Sequence, residues 1–369
     1  MGLFRDLLIG APVKSESVDI AAALKPFTVS GELWNTQAGM TATKIQALQV
    51  PSIKRAKDII CSTIGSLPLS QFEKSTGAFI EAPRVIHQPD PGVPGSMIYA
   101  LTAADLFFYG NAYWQVTEAY AATDGGRVRS ATYVPYEWVS PQYDSTGTKI
   151  VGYAVNSKPV PMQGVGSLVV FYGLNEGLLY TSGKTIRAAL ALETAAEQYA
   201  KEPAPMMVLK TNGTNLSAER MKALKETWTT LRQSKNSTAI LNADIDLQSF
   251  GFDPKTIQLN EARQYIALEL SRACGIPAHF LGAEVSSMTY SNTLQERRAL
   301  VDFSLRPILT AIEQRLSAQD FIPATTSIRF DLDDFLRGSA LERAQVYQIL
   351  NTIGAMSVEQ IQQAEDLIR

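Results

Sequence analysis

Apolar residues recur at helical spacing from Pro51 onward: Ile53, Ala56, Ile60, Ile64 and Leu67 fall three or four positions apart. Pro51 stands where a first helical turn tolerates proline, and Gly65-Ser66 stand near the end, so the pattern predicts a helix. Residues 69–72 follow as a short strand. The stretch 83–95 holds four prolines and two glycines and reads as a loop. A second helix is expected over 96–109, ending on Gly110, a residue that accepts the left-handed backbone of a helix end. Strands are expected at 111–118, 131–139, 149–155 and 167–172, so the first half is α+β.

The second half changes character. Residues 184–201 form an Ala-rich helical pattern with Ile186, Leu190, Ala196 and Tyr199 roughly on one side, stopped by Pro203 and Pro205. A strand is expected at 206–210, and Ser217 caps a helix running to about 233. Strands at 238–242 and 245–250 follow, and Asp253-Pro254 starts a helix reaching Cys274, where Gly275-Ile276-Pro277 ends it. Residues 278–291 read as a loop. Thr293 with Glu296 is a capping box for a long helix to about 317, in which Pro307 should produce a kink. A strand at 327–332 precedes two final helices opened by Ser339 with Glu342 and Ser357 with Gln360. Residues 1–45 are weakly periodic and read as an arm with some local order.

Composition narrows the function classes. A chain of 369 residues with 46% hydrophobic and 19% charged positions can pack more than one unit. No apolar run reaches the roughly 18 residues of a membrane helix, and the opening residues lack the apolar stretch of a secretory signal, so neither is expected. Two cysteines, Cys61 and Cys274, and two histidines, His87 and His279, are too few for a zinc site and fit a reducing compartment. A net charge of −3 argues against a surface that clamps phosphates, though not against one that DNA slides past.

Several constellations invite chemistry. Gly183-Lys184-Thr185 follows a strand and opens a helix, as a phosphate-binding loop would. That loop needs a glycine at the position of Leu178, and Gly177 is one residue too far, so an ordinary loop-to-helix junction is expected; an NTPase on these residues is the alternative. Asp331, Asp333 and Asp334 could hold a divalent ion but read as a solvated turn. His279, beside Pro277 and Phe280, has no nucleophile in a motif with it. Arg220, Lys222, Lys225, Arg232 and Lys235, with Trp228 interleaved and Glu219 and Glu226 diluting them, form a mixed helical face better suited to solvent or a protein than to nucleic acid. The run Phe107, Phe108, Tyr109, Tyr113, Trp114 is expected in the core. No catalytic residue, cofactor or metal is expected.

One succession of short motifs is specific in its order. Leu67-Pro68-Leu69 and Gly110-Asn111-Ala112-Tyr113 come first. Glu261 and Arg263 then lie in a helix ending Cys274-Gly275-Ile276-Pro277, followed by Phe280-Leu281-Gly282, Tyr290-Ser291-Asn292, Arg306-Pro307 and Ile312-Glu313. Over about residues 50–350 this resembles the portal proteins of tailed, double-stranded DNA phages. The resemblance implies an α+β subunit: an arm (1–45), an α/β wing (46–183), a stem of two helices (184–202 and 253–275) flanking a small α/β clip (203–252), a tunnel loop (276–292), a kinked helix with a return to the wing (293–338) and a short helical crown (339–369). It further implies a homo-oligomeric ring, a dodecamer, at one capsid vertex, through which DNA is packaged and ejected. The partners it implies are double-stranded DNA, the large terminase subunit, a head–tail adaptor and the major capsid and scaffold proteins. Glu284, Val285, Ser286, Ser287, Met288, Thr289 and Tyr290 would then face the tunnel, and Arg220, Lys222, Lys225, Trp228, Arg232 and Lys235 would meet terminase and adaptor. A scaffold or adaptor without a tunnel is the other alternative.

Overall fold

Thr43 opens the first helix among the described residues, α1 (Lys44–Leu48): its hydroxyl accepts from the Gln46 N–H at 3.2 Å while the Gln46 side chain accepts from the Thr43 N–H at 3.0 Å. This reciprocal cap satisfies two donors that a helix start leaves unpaired. The computed structural model describes residues 42–121, 126–147, 149–201, 206–211, 217–233, 245–250, 259–282, 293–332, 335 and 340–365. After α1 come α2 (Pro51–Ser66), β1 (Leu69–Glu73), β2 (Phe79–Ile80), α3 (Arg84–His87) and α4 (Gly95–Tyr109). Strands β3 (Asn111–Ala119), β4 (Val128–Val134), β5 (Val139–Tyr143), β6 (Ile150–Val155), β7 (Lys158–Val160) and β8 (Leu168–Tyr172) follow. The second half runs through α5 (Leu178–Thr181), α6 (Gly183–Lys201), β9 (Met206–Thr211), α7 (Ala218–Gln233), β10 (Ile245–Phe250) and α8 (Leu259–Cys274). The described elements end with α9 (Thr293–Ala299), α10 (Arg306–Leu316), β11 (Thr326–Phe330), α11 (Ala340–Thr352) and α12 (Val358–Ala364).

Three expectations change in detail. The strand expected at 131–139 is broken: β4 ends at Val134, and Tyr136–Trp138 form a 3-10 turn before β5. Pro135 has no N–H to extend the ladder, which accounts for the break. The 83–95 loop contains the one-turn helix α3. The expected kink at Pro307 takes the form of a π-helical turn, Leu300–Leu305, between α9 and α10. There the Arg306 N–H donates to the Val301 carbonyl, five residues back. Widening the helix by one residue accommodates a proline ring that collides with the carbonyl four positions before it. The start of the helix expected from 254, the strand expected at 238–242 and the cap expected at Ser339 lie outside the described residues.

The chain divides into two units: Lys57–Thr181 with the residues from Ser291 onward, and Ala42–Ala56 with Ser182–Tyr290. In the first unit β3 is central in a sheet of order β4-β3-β8, all antiparallel, and α4 lies against it. Helix α4 buries ten consecutive or near-consecutive residues, which its apolar composition allows on every side. Trp114 of β3 is fully enclosed; its indole N–H donates to the Thr102 hydroxyl at 2.8 Å, and its ring packs against Phe171 and Phe321. Thr102 passes the chain on to the Ile98 carbonyl at 2.7 Å, so no polar atom of this contact is stranded. A second sheet, β11-β1-β2, joins residues far apart in sequence: the buried Gln71 amide donates to the Thr326 hydroxyl at 2.9 Å. The third, β5-β6-β7, carries Pro141 on its edge strand, where proline costs no ladder bond.

The second unit rests on the pair α6 and α8, with α1 against α6. Strands β9 and β10 pair antiparallel, from Met206 opposite Phe250 to Thr211 opposite Ile245.

Candidate functional site

Helix α8 stops where its sequence makes it stop. Gly275 adopts a left-handed backbone (φ 65°), Ile276 is buried, and Pro277 leads into a 3-10 turn, Ala278–Leu281, closed by the left-handed Gly282 (φ 74°). The N–H of Gly275 returns to the Arg272 carbonyl and that of Ile276 to Ser271, which satisfies the last turn of the helix. The expected loop therefore begins with an ordered turn carrying His279 and Phe280, whose rings lie 4.2 Å apart. Glu284, Val285, Ser286, Ser287, Met288, Thr289 and Tyr290 lie outside the described residues.

Across the helix pair, the Arg263 guanidinium donates to both carboxylate oxygens of Glu193 at 3.0 Å. Both side chains are close to half exposed, so the pair is worth well under a buried bridge, roughly 1 kcal/mol or less. Beside it, Ala189, Leu192, Ile266, Ala267 and Leu270 line a groove of about 220 Å³ that Val50 and Leu281 help close. Sequence reasoning marked Arg263 through its motif and missed Glu193; the available signal was an acidic residue on the Ala-rich helix, without anything in the pattern to say which one.

On α7, Arg220, Lys222 and Lys225 are exposed together with Glu219, Met221 and Glu226. Trp228 and Arg232 stand further along the same helix, and Lys235 lies outside the described residues. At about 100° per residue the positions of Lys222, Lys225 and Arg232 fall on one side of the helix and that of Arg220 lies well away from them. Glu219 and Glu226 are exposed among them, so the helix surface is of mixed charge.

The phosphate-loop alternative fails on geometry. Gly183 does open α6, but the helical turn α5 occupies the segment that would have to curl around phosphates. Gly177 (φ 81°) serves another purpose: a Cβ there would stand 2.5 Å from the Gly110 nitrogen, so the glycine lets two backbones touch. Asp333 and Asp334 lie outside the described residues, and among the described residues no group of three His, Cys, Asp or Glu side chains could hold a metal.

The titrating groups with displaced pKa values serve structure. Burial pushes the Cys274 thiol up to about 12, so it is an inert core residue at neutral pH. Burial, then the neighbouring carboxylates Glu137 and Asp105, raise Tyr109 and Tyr133, which therefore remain neutral hydrogen-bond donors. The enclosed Asp105 accepts from the Tyr133 hydroxyl at 2.6 Å and the Tyr136 N–H at 3.2 Å, and so fixes the turn between β4 and β5. The aromatic run from Phe107 to Trp114 is buried, as expected of core.

The sequence matches the family model described as Phage portal protein over residues 51–366. The chain belongs to the phage portal protein family. This portal-family chain is 25% identical over 359 residues to a probable portal protein of Streptomyces phage phiC31, spanning 89% of the chain and 77% of that relative. It is 23% identical over 390 residues to the portal protein of Enterobacteria phage HK97, spanning 94% and 88%. Among solved structures, an HK97-family phage portal protein from Corynebacterium diphtheriae superposes with a TM-score of 0.64 at 25% identity, covering 80% of the portal chain and 97% of the other. The neck of an empty gene transfer agent particle with C6 symmetry superposes with a TM-score of 0.65 at 17% identity, covering 94% and 97%, a likeness of fold. The α+β portal fold is thus the fold of this chain, and its function is that of a phage portal protein.

Proposed function

We propose that copies of this chain close into a ring, a dodecamer, at one capsid vertex, and that double-stranded DNA enters and leaves through its channel. The observation that carries the reading is the family match across residues 51–366, together with solved neck structures of like fold computed with C6 and C12 symmetry. A closed rotation repeats one head-to-tail contact around an axis, which a single chain can encode with two different faces.

The parts follow the chain. Residues 46–183 are the wing, 184–202 and 253–275 the stem, 203–252 the clip, 276–292 the tunnel loop, 293–338 the kinked helix and wing return, and 339–369 the crown; residues 1–45 are an arm. Glu284, Val285, Ser286, Ser287, Met288, Thr289 and Tyr290 face the DNA. A net charge of −3 supports passage, because strong phosphate binding would hold the duplex in place. Arg220, Lys222, Lys225, Trp228, Arg232 and Lys235 meet the large terminase subunit and the head–tail adaptor. The exposure of the first three on a mixed-charge face supports a protein partner. Major capsid and scaffold proteins are further partners; the ring stands at the portal vertex of the virion, and assembly takes place in the host cytoplasm. The subunit itself catalyses nothing; nucleotide hydrolysis belongs to the docked motor.

Electron microscopy of the purified protein tests the reading. Class averages should show rings with a central hole and rotational order, twelve-fold in the assembled phage head. Compact single particles at every concentration would overturn it.

A further inference from the structure

The sheet β5-β6-β7 shares no strand with β4-β3-β8, and tyrosines join the two. Tyr136, in the 3-10 turn that leads into β5, stacks on Tyr109 at 4.1 Å and stands 5.9 Å from Tyr113; Tyr153 of β6 meets Tyr113 edge-on at 6.1 Å. The polar ends of this seam are fastened as well. Asp105 accepts from the Tyr136 N–H, the Tyr109 hydroxyl donates to Glu137, and the Tyr153 and Tyr172 hydroxyls lie 3.2 Å apart. Among the described residues of β5, β6 and β7, the buried apolar side chains besides Tyr153 are Val139 and Ala154. A tyrosine ring packs well yet ends in a group that water satisfies, so a seam of this kind loses less on wetting than an aliphatic one.

Asn111 weighs against closure. It is 1% exposed, and among the described residues neither its amide nitrogen nor its amide oxygen has a hydrogen-bond partner. It stands two positions before Tyr113 on β3, with Tyr172 opposite, and so on the face of the strand that the seam covers. A buried amide with nothing to bond forfeits the hydration that an open seam would return. On the other face of β3 the indole N–H of Trp114 has its acceptor in Thr102, and closure carries no such penalty. The chain leaves β7 through the exposed residues Pro161, Met162 and Gln163 into the left-handed Gly164 (φ 79°), a connection that can turn without disturbing a packed side chain. We propose that β5-β6-β7 is a strap that swings off β3 as one body, wetting the face of Asn111 and Tyr113 while the Trp114 core on the opposite face stays closed. The motion belongs to the single chain and does not depend on the ring reading.

Cysteines placed on the two faces of β3 read the motion, with alkylated peptides assigned by mass so that the buried Cys61 and Cys274 do not interfere. In native buffer Asn111→Cys should be alkylated on the order of a hundredfold faster than Ala112→Cys, its fully buried neighbour on the Trp114 side. Tyr109→Phe keeps the stacked ring and unfastens Glu137. It should speed labelling at 111 several-fold and leave 112 as it was. Hydrogen exchange reads the same event without a cysteine: in the unsubstituted chain the Tyr136 amide, bonded to Asp105, should exchange on the order of a hundredfold faster than the Trp114 amide. Asn111→Leu, which removes the unpaired amide, should slow the Tyr136 amide several-fold. Equal labelling at 111 and 112 would show that β3 is reached only when the whole unit unfolds, and would overturn the proposal. So would a Tyr109→Phe chain that labels faster at both positions alike, or an unsubstituted chain whose Tyr136 and Trp114 amides exchange together.

Discussion

Gly110 carries two constraints at once. It closes α4 with a left-handed backbone (φ 77°), and a Cβ there would meet the Asn175 carbonyl at 2.8 Å and the Glu176 backbone at 3.0 Å. Gly110→Ala should therefore destabilise the fold by about 2 kcal/mol or more, from the backbone penalty and the collision together. A melt should register this as a fall in Tm, whereas the same substitution at Gly77, whose Cβ position is open, should cost the backbone penalty alone. The helix-ending role of Gly110 was legible in the sequence from the apolar run before it. Its second role was not, because the opposing backbone at 175–177 belongs to a segment some 65 residues away, and no local pattern records a close approach. The same limit hid Glu193 as the partner of Arg263. The tunnel-facing and docking assignments of individual residues rest on resemblance, which places segments better than it places side chains.

At the scale of elements, α4, α6 and α8 were readable from their stops, with apolar spacing besides in α6, and α7 from the Ser217 cap that opens it. Strands β2 and β7, of two and three residues, were not, since period-two alternation needs more positions than they have. The turn before α10 shows a sequence signal with an unforeseen outcome: Pro307 announced a distortion and left its form open. Helix α10 is tied to β11 by a carboxylate, since the Phe330 N–H donates to Glu313 at 2.8 Å and the Ile328 N–H to the Ser317 hydroxyl at 2.8 Å. Burial raises the Glu313 pKa, and the Phe330 N–H, Arg329 and Arg306 only partly offset it. A carboxyl with a raised folded pKa stabilises the fold in its protonated form, and that stabilisation is lost as pH rises through the folded value. Glu313→Gln keeps an acceptor for Phe330 and removes the charge. It should thus be more stable than the wild type near pH 8, with the difference closing below about pH 4, the ordinary carboxylate range. Denaturant titrations at the two pH values check this, and a variant that is less stable than the wild type at pH 8 would contradict it.

For the whole molecule, the informative fact is the order in which the chain visits its two units. The first unit is made of Lys57–Thr181 and the residues after Ser291, and the intervening residues belong to the second. Strand β1 has its partner β11 some 255 residues later, and Trp114 has Phe321 on its ring. A chain truncated after residue 290 should consequently leave β1 and the floor of the first core open, be cut rapidly by protease between 57 and 181, and recover resistance when 291–369 is supplied as a separate fragment. Resistance of the truncated chain equal to that of the full chain would contradict this. On the ribosome the same arrangement acts as a timer. The first unit cannot close until β11 has been made, so its β1 edge stays unpaired while the intervening residues are translated. If copies of the chain close into a ring as proposed, the delay separates synthesis from partnership.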